Sequence, residues 1–192
     1  MNQEQILQVL YEMALVTSSE TKVESLIIKT IQRLLYHTTF PCGLFLSDIK
    51  NNGDDIDVCI EEVIGGGTLR NYKGKRSKFP KELLYGESAL FTIVDNFFEE
   101  NIKYKTALRL PVSDTEQFVL LSISAPESLL PFERVFEPVL KNFGKTLSLL
   151  RKNEHYTFLL EKEIKRRAEL ETSLRESEIR HRMIFESTVD GI

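Results

Sequence analysis

The chain has 192 residues, 42% of them hydrophobic, and 25 Lys and Arg against 29 Asp and Glu, for a formal charge of −4. That length allows one domain with its own core plus an extension, and the mild, interspersed charge offers no basic field for nucleic acid or an anionic membrane. No apolar run approaches the ~20 residues a spanning helix needs, the N-terminus lacks the basic and apolar stretches of a signal peptide, and a cytoplasmic location is expected.

Ile6, Leu7, Leu10, Met13 and Ala14 recur at helical spacing, predicting a helix over residues 3–16 that Thr17-Ser18-Ser19 breaks. Thr21 and Glu24 have the form of a capping box for a second helix, whose Val23, Leu26, Ile27, Thr30, Ile31, Leu34 and Leu35 share one face. The texture then changes. Residues 42–49 and 57–64 are short apolar runs on either side of Asn51-Asn52-Gly53-Asp54-Asp55, a turn signal, so they read as a hairpin. Gly65-Gly66-Gly67 ends it at positions that suit positive φ.

The segment from Thr68 to Ser88 is basic and irregular, with one helical turn at Lys81-Glu82-Leu83-Leu84; Arg70, Lys73, Lys75, Arg76 and Lys78 read as a solvated, mobile loop. Residues 89–95 form another strand. Leu108, Leu110 and Val112 share a face, and Val119, Leu121 and Ile123 share one on the return strand after a turn at Ser113–Glu116. Helical spacing resumes at Phe132, Val135, Phe136, Val139, Leu140, Phe143, Leu147 and Leu150, with Pro138 expected at the first position of the long helix or at a kink. Sequential strands joined by short turns make an antiparallel sheet. The expected class is therefore α+β: five to six antiparallel strands flanked by N-terminal and C-terminal helices.

The residues that could carry chemistry are sparse. His37, His155 and His181 are scattered, and no nucleophile, base and orienting group can be assembled. Cys42 and Cys59 lack metal-ligand spacing and read as small buried strand residues. The glycine triplet lacks the Lys-Ser/Thr of a phosphate loop. Catalysis, metal binding and nucleic-acid binding are not expected of this chain, and no particular cofactor is indicated.

Several stretches together resemble the GAF domain, a small-molecule-binding and dimerising module of bacterial signalling proteins. They are the strand ending in Val94-Asp95, the strand Ala107-Leu108-Arg109-Leu110-Pro111-Val112, the return Val119-Leu120-Leu121-Ser122-Ile123-Ser124, and Pro131-Phe132-Glu133 opening the last helix. The resemblance covers roughly residues 5–150. It implies a ligand pocket between one sheet face and the variable loops, with Phe79, Leu84, Tyr85, Phe91, Phe97, Phe98 and Tyr104 as candidate lining residues; the alternative is that they fill a core. Aromatic side chains with a few polar groups suit a flat apolar ligand. Phe91 and Asp95 reproduce part of the cyclic-nucleotide pattern of the family, but Asn96 stands where that pattern has Glu. Cyclic nucleotides are disfavoured, and so are tetrapyrroles, whose attaching cysteine has no match.

The tail from Leu174 to Glu186, with Asp190-Gly191-Ile192, is similar to the entry of a PAS domain, with His181 in place of an aromatic residue. The implied layout is a sensory domain over residues 1–150, a charged signalling helix over 151–180 and the first turn of a PAS domain over 181–192. That order is typical of sensor histidine kinases and cyclic-di-GMP enzymes, with the output lying elsewhere. Glu161–Lys165, Glu163–Arg167, Glu171–Arg175, Glu176–Arg180 and Glu178–Arg182 are spaced i,i+4 with the acid first, each supporting a helix by ~0.2–0.5 kcal/mol. Phe143, Leu147, Leu150, Leu160, Ile164, Ala168 and Leu174 suggest the seam of a parallel homodimer; a single solvated helix is the alternative. Two functions follow as expectations: a sensory module relaying a signal through a dimeric helix, or a ligand-free dimerisation element.

Overall fold

The computed structural model describes residues 3–52, 55–85, 90–92, 104–123 and 132–189. Helix α1 runs Gln3–Ser19, past the expected break. Its last hydroxyls explain why: Thr17 donates to the carbonyls of Met13 and Ala14, Ser18 to Leu15 and Ser19 to Val16. They fold back on the final turn instead of diverting the backbone. Helix α2 spans Val23–Thr38 and buries the predicted stripe, Val23, Leu26, Ile27, Thr30, Ile31 and Leu34. The expected capping box does not form. Lys22 occupies the cap without a side-chain bond, and Glu24 reaches Lys73 at 2.9 Å instead.

The sheet follows as β1 (Cys42–Asn52), β2 (Asp55–Gly65), β3 (Lys75–Pro80), β4 (Leu90–Thr92), β5 (Thr106–Ser113) and β6 (Glu116–Ser122). Its spatial order is β3-β2-β1-β6-β5-β4, and every neighbouring pair is antiparallel. A 3₁₀ helix at Gly67–Tyr72 and the short α3 at Lys81–Leu84 flank β3. This corrects the sequence reading of that stretch. The basic segment is an edge strand, and its charges are used: Lys73 pairs with Glu24 and Glu62, and Arg76 pairs with Asp48. Charged and proline-bearing edge strands hide from hydrophobic periodicity because only one side of them meets a neighbour.

Helix α4 spans Phe132–Val189, so Pro138 lies inside it and does not open it. Two compact units are present, Met1–Leu150 and Arg151–Ile192. Among the described residues, no helix is long and apolar enough to cross a membrane.

The first unit has two apolar layers because β1, β5 and β6 bury both faces. Phe45, Leu108, Leu110, Phe118 and Leu120 face one layer, where α1, α2 and the start of α4 supply Met13, Leu26, Ile31, Phe136, Phe143 and Leu147. Phe45, Phe118 and Phe143 meet there with ring centroids 4.8–5.9 Å apart. The alternate residues Leu44, Leu46, Ala107, Val119 and Leu121 form the other layer with Ile56, Val58, Ile60, Leu69, Phe79, Leu84 and Tyr104.

Candidate functional site

The second of these layers is where a pocket was expected, and three of the predicted lining residues meet there. Phe79 is 1% exposed and Leu84 and Tyr104 are buried, all in one cluster with Cys42, Leu44 and Val119. Tyr85 is 45% exposed and stands outside it. Phe91 pairs with Ala107 in the β4–β5 ladder. Phe97 and Phe98 lie outside the described residues.

Local backbone conformation holds this layer together. Gly66 adopts φ +70°, and a Cβ there would stand 2.7 Å from Cys42 Sγ and 3.1 Å from the Tyr104 hydroxyl. The strand exit thus turns in the left-handed region while pressing its backbone against both side chains, which only glycine permits. Cys42 is buried and Cys59 half-buried, both as free thiols. Among the described residues, no group of His, Cys, Asp and Glu could hold a metal ion.

Two buried polar residues, Arg109 and Gln117, interrupt the apolar layer, and the sequence reading did not single them out. Arg109 is 5% exposed and pairs in register with Val119, which places it on this face two residues after Ala107. Gln117, also 5% exposed, pairs with Leu46 and Pro111 and precedes Val119 on the same face; its amide nitrogen has no hydrogen-bond partner among the described residues. A buried amide donor without a partner is costly. The signal was present in sequence: an arginine at an inward position of an otherwise apolar strand is conspicuous once the strand's alternation is known.

On the helix-covered side, Glu62 is 5% exposed and pairs with Phe45 across the sheet. Lys73 Nζ reaches its carboxylate at 2.7 Å and Glu24 at 2.9 Å, tying α2, β2 and the 3₁₀ segment together. These bonds, Glu62 first, raise the Lys73 pKa, and the Lys73 bond lowers that of Glu24. Replacing Lys73 with Met takes the cation from the buried Glu62 carboxylate, whose Oε1 keeps the Val63 N–H at 3.0 Å. Because Lys73 itself is partly exposed, the loss is discounted to about 1–2 kcal/mol, or about 2–8 °C in melting temperature. A raised lysine pKa stabilises fully below the unfolded value of about 10.4 and loses that contribution as pH climbs through the folded value. The melting gap between K73M and the parent chain should therefore hold from neutral pH to about pH 10 and close above it.

A groove of about 530 Å³ runs between α1 and α2, lined by Glu12, Leu15, Val16, Ser19, Glu20, Lys29, Gln32, Arg33 and Tyr36. Its charges are matched within the chain: Glu12 with Arg33 and His37, Glu20 with Lys29. It has no unsatisfied charge to offer a ligand.

The residues expected at a dimer seam divide. Phe143 and Leu147 are fully buried in the first unit's own core, and Leu150 packs against it. Phe143 and Leu147 are therefore covered without a second chain. Leu160, Ile164 and Leu174 are 62–66% exposed, and Ala168 is exposed.

No family model and no curated protein matches the sequence. Solved structures do match the fold. The GAF domain from a phosphoenolpyruvate-protein phosphotransferase (ptsP) of Coxiella burnetii aligns with a TM-score of 0.60 at 10% identity, covering 81% of this chain and 99% of that one. The GAF domain of an Acinetobacter phosphoenolpyruvate-protein phosphotransferase aligns with a TM-score of 0.56 at 8% identity, covering 79% and 97%. With six antiparallel strands among the described residues, helices on one face and a loop-bearing second face, the chain has the GAF fold.

Proposed function

We propose that this chain is a non-catalytic sensory module that takes a small molecule or partner at the loop-bearing face and relays its presence through a dimeric α4. In this reading, residues 181–192 enter a PAS domain, and a kinase or cyclic-di-GMP output lies beyond it. The observation that carries the proposal is the double-faced centre of the sheet. In β5, Ala107 and Arg109 face one layer while Leu108 and Leu110 face the other, where α4 supplies Phe136, Phe143 and Leu147. Close-packed interiors transmit displacement, so a change at Arg109 and Gln117 reaches α4 through one thickness of strand. A buried guanidinium and an amide donor in an apolar setting suit a small ligand with an acceptor group such as a carboxylate or carbonyl.

The burial of Phe79, Leu84 and Tyr104 favours a second reading, in which this face is packed shut and the unit serves only as a dimerisation element. Native mass spectrometry of the freshly purified chain separates the two. The sensory reading expects a bound small molecule, and Gln117→Leu and Arg109→Met to lose it while circular dichroism stays unchanged. A ligand-free mass in the parent chain, together with no thermal shift across a panel of small carboxylates and amides, would favour the second reading.

A further inference from the structure

Between β2 and β3 the chain leaves the sheet and comes back to the same edge. Gly65 ends β2 opposite Cys42. The chain then passes through Gly66 and the 3₁₀ helix Gly67–Tyr72. It rejoins the ladder where the Gly74 N–H donates to the Ile60 carbonyl at 2.7 Å and Lys75 pairs with Ile60. Within this excursion the turn closes on itself. The Leu69 N–H donates to the Gly66 carbonyl at 3.0 Å, and the Lys73 N–H donates to the Arg70 carbonyl at 3.2 Å. Those bonds travel with the segment when it lifts, so its opening costs mainly side-chain contacts.

Leu69 and Lys73 make those contacts on opposite faces of the sheet. Leu69 is 0% exposed and seats in the second apolar layer, with Tyr72 packed against the same layer. Thr68, Arg70 and Asn71 beside it are exposed. Lys73 reaches toward the helices instead. Its ammonium meets the buried Glu62 carboxylate at 2.7 Å and Glu24 of α2 at 2.9 Å. An apolar plug on the loop-bearing face and an ion-paired lysine on the helix-bearing face thus close one segment.

The groups beneath it are specific. A Cβ at Gly66 would stand 2.7 Å from Cys42 Sγ, 3.1 Å from Leu69 Cδ1 and 3.1 Å from the Tyr104 hydroxyl. Plug, thiol and phenol therefore converge at one point, and Cys42 is fully buried there. Both ends of the segment are free to turn. Gly66 has φ +70° and Gly74 φ +75°, and glycine crosses between left-handed and right-handed regions without a steric penalty. Open space surrounds the Cβ position of Gly74 among the described residues.

We propose that residues 66–73 are a lid over the second apolar layer, hinged at Gly66 and Gly74, plugged by Leu69 and latched by Lys73 to Glu62 and Glu24. Releasing the latch opens the way to Cys42 and Tyr104 while the sheet stays folded. Because Glu24 belongs to α2, the lid on one face is held from the other. This inference goes beyond the sensory reading and requires neither a ligand nor a second copy.

Cys42 reports the lid. In the full chain with Cys59→Ala it is the one thiol left, and its labelling by dithionitrobenzoate is followed at rising urea. Global unfolding depends steeply on urea because it exposes the whole core, whereas a local opening depends on it weakly. The expected parent behaviour is a shallow limb at low urea, faster than global unfolding permits, that gives way to a steep limb near the transition. Lys73→Met should raise the shallow limb about tenfold. Glu24→Ala, an exposed change that leaves Glu62 paired, should raise it about twofold to fourfold. Hydrogen exchange of amides 67–73 should show the same limb and the same order of variants. Labelling that follows the steep limb alone in the parent and both variants would overturn the lid. A shallow limb of equal rate in all three would overturn the latch. Neither result touches the sensory reading, whose mass spectrum detects a bound molecule and not an opening.

Discussion

Phe143→Ala should lower the stability of the first unit by about 4 kcal/mol, a fall of roughly 8–16 °C in its melting temperature measured by scanning calorimetry. Phe143 is fully buried, with its ring centroid 5.0 Å from Phe118 and 5.9 Å from Phe45. Phe45 is on β1, Phe118 on β6, and Phe143 is the residue of α4 that fills the angle between them. Removing the ring leaves a void walled by two aromatics fixed in neighbouring strands, which cannot collapse into it without disturbing the ladder. A comparable truncation at Leu160, 64% exposed, should leave the melting temperature of this unit unchanged. A small effect at Phe143 would mean that α4 contributes little to the core that the structure assigns it.

Gly65→Ala should cost about 3 kcal/mol, by a different route. Gly65 has φ +80°, and a Cβ there would lie 2.1 Å from the Pro41 carbonyl oxygen. The left-handed conformation alone penalises alanine by about 1–2 kcal/mol. The obstruction is main chain, so it yields only if the start of β1 separates from the end of β2, where Cys42 pairs with Gly65. Gly67 supplies the control. It also has positive φ, but open space surrounds its position, so Gly67→Ala should show only the conformational penalty of about 1 kcal/mol. Equal effects of the two substitutions in urea titrations would sink the steric argument.

Legibility varied along the chain for physical reasons. The α2 stripe, the first hairpin and the β5–β6 hairpin were readable because each buries a face and therefore shows its period. The strand β3 was not, since Lys75, Arg76 and Lys78 occupy a rim with solvent on one side. The extension of α1 through Thr17-Ser18-Ser19 was missed because hydroxyls that can break a helix can equally bond back to its last carbonyls. At the site, Phe79, Leu84 and Tyr104 were legible as aromatic or apolar residues converging on one layer. Arg109 and Gln117 were not, because assigning a face to them needs the pairing of β5 with β6 and of β6 with β1. In the long helix, acid-first pairs announced the helix itself. Which of its apolar side chains the first unit absorbs emerged only with exposure: Phe143 and Leu147 are buried, whereas Leu160 and Leu174 are not.

The lysine-bearing rim at β3 also bears on how these molecules can meet in a crowded solution. An open strand edge invites another chain to continue the ladder, the first step toward fibrils. Here a newcomer would have to align against Lys75, Arg76 and Lys78 and reach Pro80, which has no amide hydrogen to give. Growth by strand stacking on that side is discouraged, so crowding alone does not seed an aggregate along that flank of the sheet.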